Sequence, residues 1–121
     1  MAGDISLSKS EILALEAICG NEGLIMNELA KSLKITLSAV TGIMDRLVDK
    51  KLATRKRSQG DRRVVKVFLT ADGKKVSAGL RKQREEFFGR MLNLLTESEQ
   101  EIFVLVLEKI AREIEKKKLR R

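Results

Sequence analysis

Six positively charged side chains lie close together in the middle of the chain, and a single carboxylate, that of Asp61, lies among them. Cations at this density repel one another unless an anion neutralises them, and arginine pairs with phosphate oxygens through two parallel hydrogen bonds. Asp61 is placed to hold one arginine in a fixed orientation. The pattern therefore predicts a binding site for a phosphate backbone. The six cations are Arg55, Lys56, Arg57, Arg62, Arg63 and Lys66.

The net charge of +8 is concentrated in the same part of the 121-residue chain. Residues 1–30 contain one lysine and five acidic residues, whereas residues 31–66 contain eleven cationic residues and three acidic ones. Residues 67–121 contain thirteen cationic and nine acidic residues. A localised basic field of this kind is typical of a protein that binds a polyanion such as a nucleic acid.

The composition argues against catalysis and metal binding. Histidine is absent and Cys19 is the only cysteine, so the commonest metal ligand and proton shuttle is missing and no intramolecular disulfide can form. We therefore expect no enzymatic activity, no cofactor and no metal. Aromatic residues make up 3% of the chain, too few to stack the bases of a single strand. Cys19 ends an apolar stripe without an adjoining basic residue, and we interpret it as a core residue rather than a redox sensor.

Length and hydrophobic content indicate one folded domain. A chain of 121 residues with 43% hydrophobic residues is long enough to bury one core and too short for two independent ones. No apolar run approaches the length needed to span a bilayer, and residues 1–7 lack the basic and apolar segments of a secretion signal. We therefore expect a cytoplasmic protein without a membrane partner.

The spacing of apolar residues predicts three helices before the basic stretch. Ser8 and Glu11 form a capping box that starts a helix ending near Cys19, and a second helix spans residues 24–33. Thr36 caps a third helix, residues 37–50, whose opposite side displays small and polar residues that a DNA groove can admit. An ordinary solvated face is the alternative for that side. The expected buried residues of the third helix are Val40, Ile43, Met44 and Leu47, and the expected base contacts are Ser38, Thr41 and Arg46.

After the third helix the hydrophobic pattern changes from a helical period to an alternating one. It predicts a short strand over residues 52–54, a turn over residues 55–63 and a returning strand from Val65 to Leu69. A helix, a hairpin and a further helix, in that order, are typical of a winged helix-turn-helix, in which one helix enters a DNA groove and the hairpin grips the flanking backbone. Contacts to the backbone or the minor groove are expected from Arg55, Arg57, Arg62 and Arg63.

Two long helices complete the predicted fold. Thr70 caps a helix from Ala71 to about Leu95, and Thr96 and Glu99 form a capping box for the last one. Both carry more apolar residues than one neighbouring helix can cover, which predicts an interface with a second chain. A monomeric helical hairpin packed on its own domain is the alternative. The expected interface residues are Phe87, Phe88, Met91, Leu95, Phe103, Val106, Ile110 and Ile114.

Residues 61–73 also carry a family resemblance. Asp61-Arg62-Arg63, followed after five residues by Leu69-Thr70 and then by Gly73, resembles the wing signature of the MarR (multiple antibiotic resistance regulator) family of winged-helix repressors. Residues 27–30 and 38–47 resemble the two helices of the family's helix-turn-helix, and the resemblance runs from about residue 8 to residue 119. It implies that Arg63 enters or flanks the minor groove, that Asp61 orients it, and that the third helix faces the DNA.

Two features depart from the family pattern. Lys51 stands where the family often has a helix-ending glycine, so we expect the exit from the third helix to be looser or differently shaped. Family members usually begin with a long helix that helps form the dimer and roofs a ligand pocket, whereas only residues 1–7 precede Ser8. The chain is therefore interpreted as a short form lacking most of that helix, and a small-molecule effector is an alternative rather than an expectation.

Together these features predict a mostly α fold with a small β-hairpin wing. A winged helix-turn-helix DNA-binding domain would comprise residues 1–70, and a helical dimerisation region would comprise residues 71–121. The expected function is sequence-specific regulation of transcription by binding double-stranded DNA, as a homodimeric repressor on a palindromic site. Two alternatives are a non-specific DNA-packaging or partition protein with the same fold, and a protein-interaction module whose winged helix binds an acidic partner.

Overall fold

The computed structural model of the protein describes residues 6–119, which contain five helices and three strands. The chain divides into two compact units: unit 1 ends at Arg81 and unit 2 begins at Lys82. The predicted mostly helical fold with a small hairpin is confirmed. The expectation about a secretion signal concerns residues 1–7, of which residues 1–5 lie outside the described residues. The elements are α1 (Lys9–Gly20), β1 (Leu24–Ile25), α2 (Met26–Leu33), α3 (Leu37–Asp49), β2 (Ala53–Arg57), β3 (Val65–Leu69), α4 (Ala71–Leu92) and α5 (Glu97–Leu119).

The predicted starts of α1, α3 and α5 are confirmed by capping hydrogen bonds. At α1, Ser8 Oγ accepts from the backbone N–H of Glu11 at 3.1 Å, and Glu11 Oε1 accepts from that of Ser8 at 2.8 Å. Thr36 Oγ1 accepts from the third residue of α3 at 3.1 Å. Thr96 and Glu99 repeat the reciprocal pair at the start of α5. These bonds satisfy N–H groups that have no partner inside the helix, and they therefore fix where each helix begins.

The sheet contains one strand that the sequence analysis missed. Its strand order is β1-β3-β2, and both pairings are antiparallel among the described residues. The expectation that Leu24 and Ile25 begin the second helix is wrong, because they pair with Val67 and Lys66 along one edge of β3. A strand of two residues has no period to read, and its pairing depends on a strand much later in the chain.

The strand β2 is longer than expected. It includes Arg55 and Arg57, so the turn of the hairpin is confined to residues 58–64. Charged side chains are common on edge strands, where they discourage further pairing, so a run of cations is not evidence for a turn. Because side chains alternate along a strand, Arg55 and Arg57 project from one face and Lys56 from the other, where its Nζ lies 5.7 Å from the centroid of the Phe68 ring.

The core of unit 1 is formed by α1, α2, α3 and the sheet, joined by the start of α4. The expected buried side of α3 is confirmed. The spacing of apolar residues in α1 predicts an inner face of Ile12, Leu15, Ile18 and Cys19. Leu15 and Ile18 are fully buried, whereas Ile12 and Cys19 are only half-buried, and Cys19 packs against the core. The largest fully buried side chains are those of Leu15, Ile18, Leu29, Met44, Leu47, Leu52, Val40 and Val67.

Glu11 is buried on α1, where the sequence analysis assigned it only to a capping box. Its side chain is 3% exposed and pairs with Lys50 at 2.7 Å, and Lys50 Nζ also donates to the carbonyl oxygen of Ser6 at 2.7 Å. Burial alone would raise the pKa of Glu11, but the hydrogen bonds from Lys50 and Ser8 outweigh it, and the pKa is lowered. The ion pair thus ties the end of α3 to the start of α1.

The first turn of α4 lies directly against Leu52. A Cβ added to Gly73 would lie 1.9 Å from the carbonyl oxygen of Leu52, so this glycine of the wing signature has a packing role. Thr70 Oγ1 accepts from the backbone N–H of Gly73 at 3.0 Å, which confirms Thr70 as the N-cap.

Further along α4, Arg81 Nη2 lies 3.8 Å from Cys19 Sγ, so the thiol does have a basic neighbour.

The backbone just after the C-terminal end of α3 has a conformation typical of glycine, although the residue there is Lys51. Lys51 has a φ of +63°, in the left-handed region that favours glycine. The backbone N–H of Leu52 bonds to the carbonyl of Leu47 at 2.9 Å, and that of Lys51 bonds to Val48 at 2.9 Å. These two bonds form a Schellman motif, and Leu47 and Leu52, which occupy the two positions that are commonly apolar in this motif, are both buried. The expectation of a looser exit is therefore wrong, and Lys51 carries the steric strain instead.

Unit 2 consists of the second half of α4 and α5. The helix α4 ends at Leu92 rather than near Leu95, and the side-chain amide of Gln100 donates to the carbonyls of Leu92 and Leu95 at 2.8 and 3.3 Å. The rings of Phe88 and Phe103 lie 5.8 Å apart between centroids. From Glu101 to Lys118 every side chain of α5 is exposed. None of the described helices is long and apolar enough to cross a membrane.

Candidate nucleic-acid interface

The outward side of α3 displays the three residues expected to read bases. Ser38, Thr41 and Arg46 are all exposed. Thr41 Oγ1 donates to the carbonyl oxygen of Leu37 at 2.8 Å, so its hydroxyl offers only acceptor lone pairs to a base edge. The first turn of α3 contains no acidic residue, and the partial positive charge of a helix N-terminus favours a nearby phosphate. This end of α3 can therefore accept both a base edge and a backbone phosphate.

The hairpin turn holds Arg63 in one orientation while leaving it exposed. Asp61 Oδ1 accepts from the backbone N–H of Arg63 at 3.0 Å and from its Nε at 3.2 Å, and Asp61 Oδ2 accepts from Nη2 at 3.4 Å. The Arg63 side chain is nevertheless 91% exposed. The backbone and side-chain hydrogen bonds from Arg63 lower the pKa of Asp61. This is the geometry that the orienting role proposed for Asp61 requires.

The two arginines of β2 are also anchored, each by a different partner. Arg55 Nη1 lies 2.7 Å from Asp45 Oδ1, which joins the hairpin to α3. Arg57 Nη1 donates to the backbone carbonyl of Arg62 at 2.8 Å across the hairpin. Asp45 has no role in the interface predicted from the sequence. No local pattern could have revealed the contact, because it joins a helix to a strand.

A groove of about 420 Å³ lies between the start of α2, the first turns of α3 and the face of the sheet that carries Arg55 and Arg57. Of the expected DNA-contacting residues, it brings together Thr41 and three arginines; Ser38, Arg46 and Arg62 are not part of its lining. Asn27 and Leu37 are lining residues that the sequence analysis did not select. We call this surface the basic groove. It is lined by Ile25, Met26, Asn27, Leu37, Thr41, Arg55, Arg57, Arg63 and Val65.

Unit 2 presents the other predicted contact surface. Of the eight residues expected at a dimer interface, seven are exposed and Leu95 is half-buried. Phe87 is 57% exposed and Met91 50% exposed, which is unusual for side chains of this size in a lone domain. We call the eight residues the apolar surface. The exposed members are Phe87, Phe88, Met91, Phe103, Val106, Ile110 and Ile114.

No group of three or more cysteine or carboxylate side chains that could hold a metal ion occurs within residues 6–119. The charged side chains that line the basic groove are instead three arginines, which can hydrogen-bond to and pair with an anionic polymer.

Comparisons with known proteins agree with this assignment. A model of the MarR family matches residues 4–64. The uncharacterized HTH-type transcriptional regulator YfiV of Bacillus subtilis is 31% identical over 116 residues, covering 95% of this chain and 71% of that protein. The HTH-type transcriptional repressor MdtR of the same organism is 32% identical over 97 residues, covering 77% of this chain and 60% of MdtR. The crystal structure of Streptococcus pneumoniae FabT in complex with DNA has the same fold, with a TM-score of 0.76, 23% identity, and coverage of 92% of this chain and 78% of FabT.

Proposed function

The chain belongs to the MarR family of DNA-binding transcriptional regulators, and from that premise we propose that it represses transcription as a homodimer bound to a specific palindromic DNA site. Residues 1–70 would bind double-stranded DNA and residues 71–121 would form the dimer. The partners in this proposal are DNA and a second copy of the chain, a small-molecule effector remains an alternative, and the place of action is the cytoplasm. MdtR, one of its relatives, is named as a repressor.

The basic groove is the observation that carries the DNA-binding part of the proposal. Arg55, Arg57 and Arg63 converge on the first turns of α3, and each has an anchor that limits its motion. Anchored guanidinium groups lose less conformational entropy when they bind a phosphate than free ones do. Ser38, Thr41 and Arg46 would read base edges beside them, while the hairpin arginines would fix the register on the backbone.

Fluorescence anisotropy of labelled duplexes at several salt concentrations tests this part of the proposal. Arg63→Ala should weaken binding to selected and random duplexes alike and lower the salt slope by about one, because it removes one phosphate contact. Arg46→Ala should cost about 1 to 3 kcal/mol on a selected duplex only. Lys75→Ala, which removes an equal charge from an exposed position on α4, is the control and should change neither. Unchanged affinity and salt slope for Arg63→Ala would refute the wing assignment.

The ratio of affinities for selected and random duplexes separates a regulator from a packaging protein. Specific regulators typically bind their site about 10³-fold or more tighter than random DNA. A ratio near one would favour the packaging or partition alternative. Binding to an acidic protein without measurable affinity for any duplex would instead favour the protein-interaction module.

The apolar surface carries the dimer part of the proposal. Ile110 and Ile114 are 50% and 51% exposed in the single chain, and a lone helical hairpin would leave them in water. Pairing with a second copy would bury them at a two-fold interface and place two α3 helices about one DNA turn apart, which a palindromic site matches.

Sedimentation equilibrium tests the dimer with a pair of matched variants. Ile110→Gln should raise the dimer dissociation constant more than about tenfold, because an isoleucine side chain is lost from the interface in both copies. Arg112→Gln introduces the same residue nearly opposite on α5 and should leave the constant within about twofold. A wild-type chain that stays monomeric at micromolar concentration would refute the proposed dimer.

A further inference from the structure

Asp45 lies on the exposed side of α3, where a carboxylate should hinder DNA binding. Its side chain is 57% exposed, and it stands on the helix that also carries Ser38 and Arg46. A negative charge at this position repels every phosphate near α3. The cost is independent of DNA sequence, so electrostatics alone would favour a neutral residue.

The contact that Asp45 makes accounts for its presence. Its Oδ1 lies 2.7 Å from Nη1 of Arg55, whose side chain is 32% exposed and lines the basic groove. Arg57 and Arg63 are held by groups of the hairpin itself, the carbonyl of Arg62 and the carboxylate of Asp61. The anchor of Arg55 differs because it belongs to α3. It therefore fixes the guanidinium relative to the helix rather than only relative to the hairpin.

We propose that Asp45 is a positioning residue that sets the register between α3 and the hairpin by holding Arg55, and that it raises DNA specificity while lowering affinity for DNA in general. This inference rests on the proposed function and adds a specificity-determining residue to it. With Asp45 in place, Arg55 reaches a phosphate only when α3 lies at one depth and angle in the groove. Without Asp45, the freed guanidinium pairs with whichever phosphate is near.

Asp45→Asn tests the proposal, with Asp49→Asn as the matched control. Asp49 is an exposed acid one turn further along α3, and the described residues show no ion pair for it. Both variants remove one negative charge and should bind random duplex more tightly. Only Asp45→Asn should steepen the salt dependence of binding to random duplex, by about one in slope, because the freed guanidinium of Arg55 then pairs with a nearby phosphate. Only this variant should also lower the ratio of selected to random affinity, by roughly tenfold. Asp45→Glu, which keeps the carboxylate, should restore most of the ratio.

The Arg55→Ala background shows whether Asp45 acts through Arg55. There, Asp45→Asn should leave the ratio of affinities unchanged, because the residue that it positions is gone. An equal loss of the ratio with and without Arg55 would mean that Asp45 reads a base itself, and the proposal would fail. An equal loss of the ratio in Asp49→Asn would reduce the effect to charge alone and would also overturn it.

A measurement on the free protein separates this proposal from the proposed function. The NMR order parameter of the Arg55 Nε–H group should be high in the wild type and in Asp49→Asn, and should fall in Asp45→Asn. A mobile Arg55 in the wild type would overturn the positioning role even if DNA binds. An ordered Arg55 in a protein that binds no duplex would refute the proposed function and leave the contact itself established.

Discussion

The ion pair between Glu11 and Lys50 should contribute more to the free energy of unfolding than an exposed pair at two helix ends would, because the Glu11 carboxylate is buried. In Glu11→Gln the amide oxygen still accepts from Ser8, and Lys50, which is 32% exposed, keeps its bond to Ser6 and gains water. The free energy of unfolding should fall by about 1.5 to 3 kcal/mol, the range for a hydrogen bond to a charged group. In Lys50→Met a carboxylate that is 3% exposed loses its counter-charge, which should cost about 3 to 5 kcal/mol.

Urea denaturation at pH 7 and fixed protein concentration measures both values. The double variant should cost less than the sum of the two single ones by about 0.5 to 3 kcal/mol, because neither charge is then left alone. Lys31→Met, at an exposed position of α2, is the control and should stay within about 0.5 kcal/mol of the wild type. Equal costs for the two single variants, or additive costs in the double, would show that the pair is not buried as described.

The pH dependence gives an independent check on the same pair. The pKa of Glu11 is lowered from an ordinary value of 4.5, so its contribution to stability is present above about pH 4.5 and is lost as the pH falls through the folded-state pKa. Lys50→Met removes the main group that lowers this pKa and leaves burial, which raises it, opposed by the hydrogen bonds from Ser8. The share of acid destabilisation that Glu11 contributes should therefore become smaller in that variant. An acid denaturation profile identical to that of the wild type would contradict the reasoning.

Three further changes test the local geometry. Gly73→Ala should lower the free energy of unfolding by about 3 kcal/mol or more, because its Cβ would lie 1.9 Å from the backbone oxygen of Leu52. Gly79→Ala is the control: it has open space around it and should stabilise α4 by up to about 1 kcal/mol. Lys51→Gly should raise the unfolding free energy by about 0.5 to 1 kcal/mol by relieving the left-handed φ of +63°, and Lys51→Ala, which keeps the Cβ, should not. Thr36→Ala should cost about 1 kcal/mol by removing the cap of α3, and Thr36→Ser should restore it; equal stability of these two variants in chemical denaturation would exclude the capping role.

What could be predicted from the sequence was local in origin. Helix starts follow from side chains that bond to amides three residues away, so Ser8, Thr36 and Thr96 were readable as caps. The buried side of α3 follows from a period of 3.6 residues. The strand β1 was not readable, because two residues form it only by pairing with β3.

The charged contacts show the same limit. Glu11 was readable as part of a capping box but not as the buried partner of Lys50, which lies on another element. The cations of the hairpin were readable as a phosphate-binding pattern. Their distribution over two faces was not, because it depends on how far β2 continues, and Lys56 consequently lies on the opposite face from Arg55 and Arg57.

The positive charge that would face DNA is smaller than the six cations of the hairpin imply, and it is held in more fixed positions. If all six cations of the hairpin met phosphates, the salt slope would be about −5 per protomer. Lys56 lies on the other face, and the carboxylates of Asp45 and Asp61 offset the charges of Arg55 and Arg63. Free charges bind any duplex, whereas anchored charges bind only where phosphates match their positions. On this reasoning the two aspartates lower the total attraction and increase its dependence on register, and register is what lets α3 reach the same base edges each time.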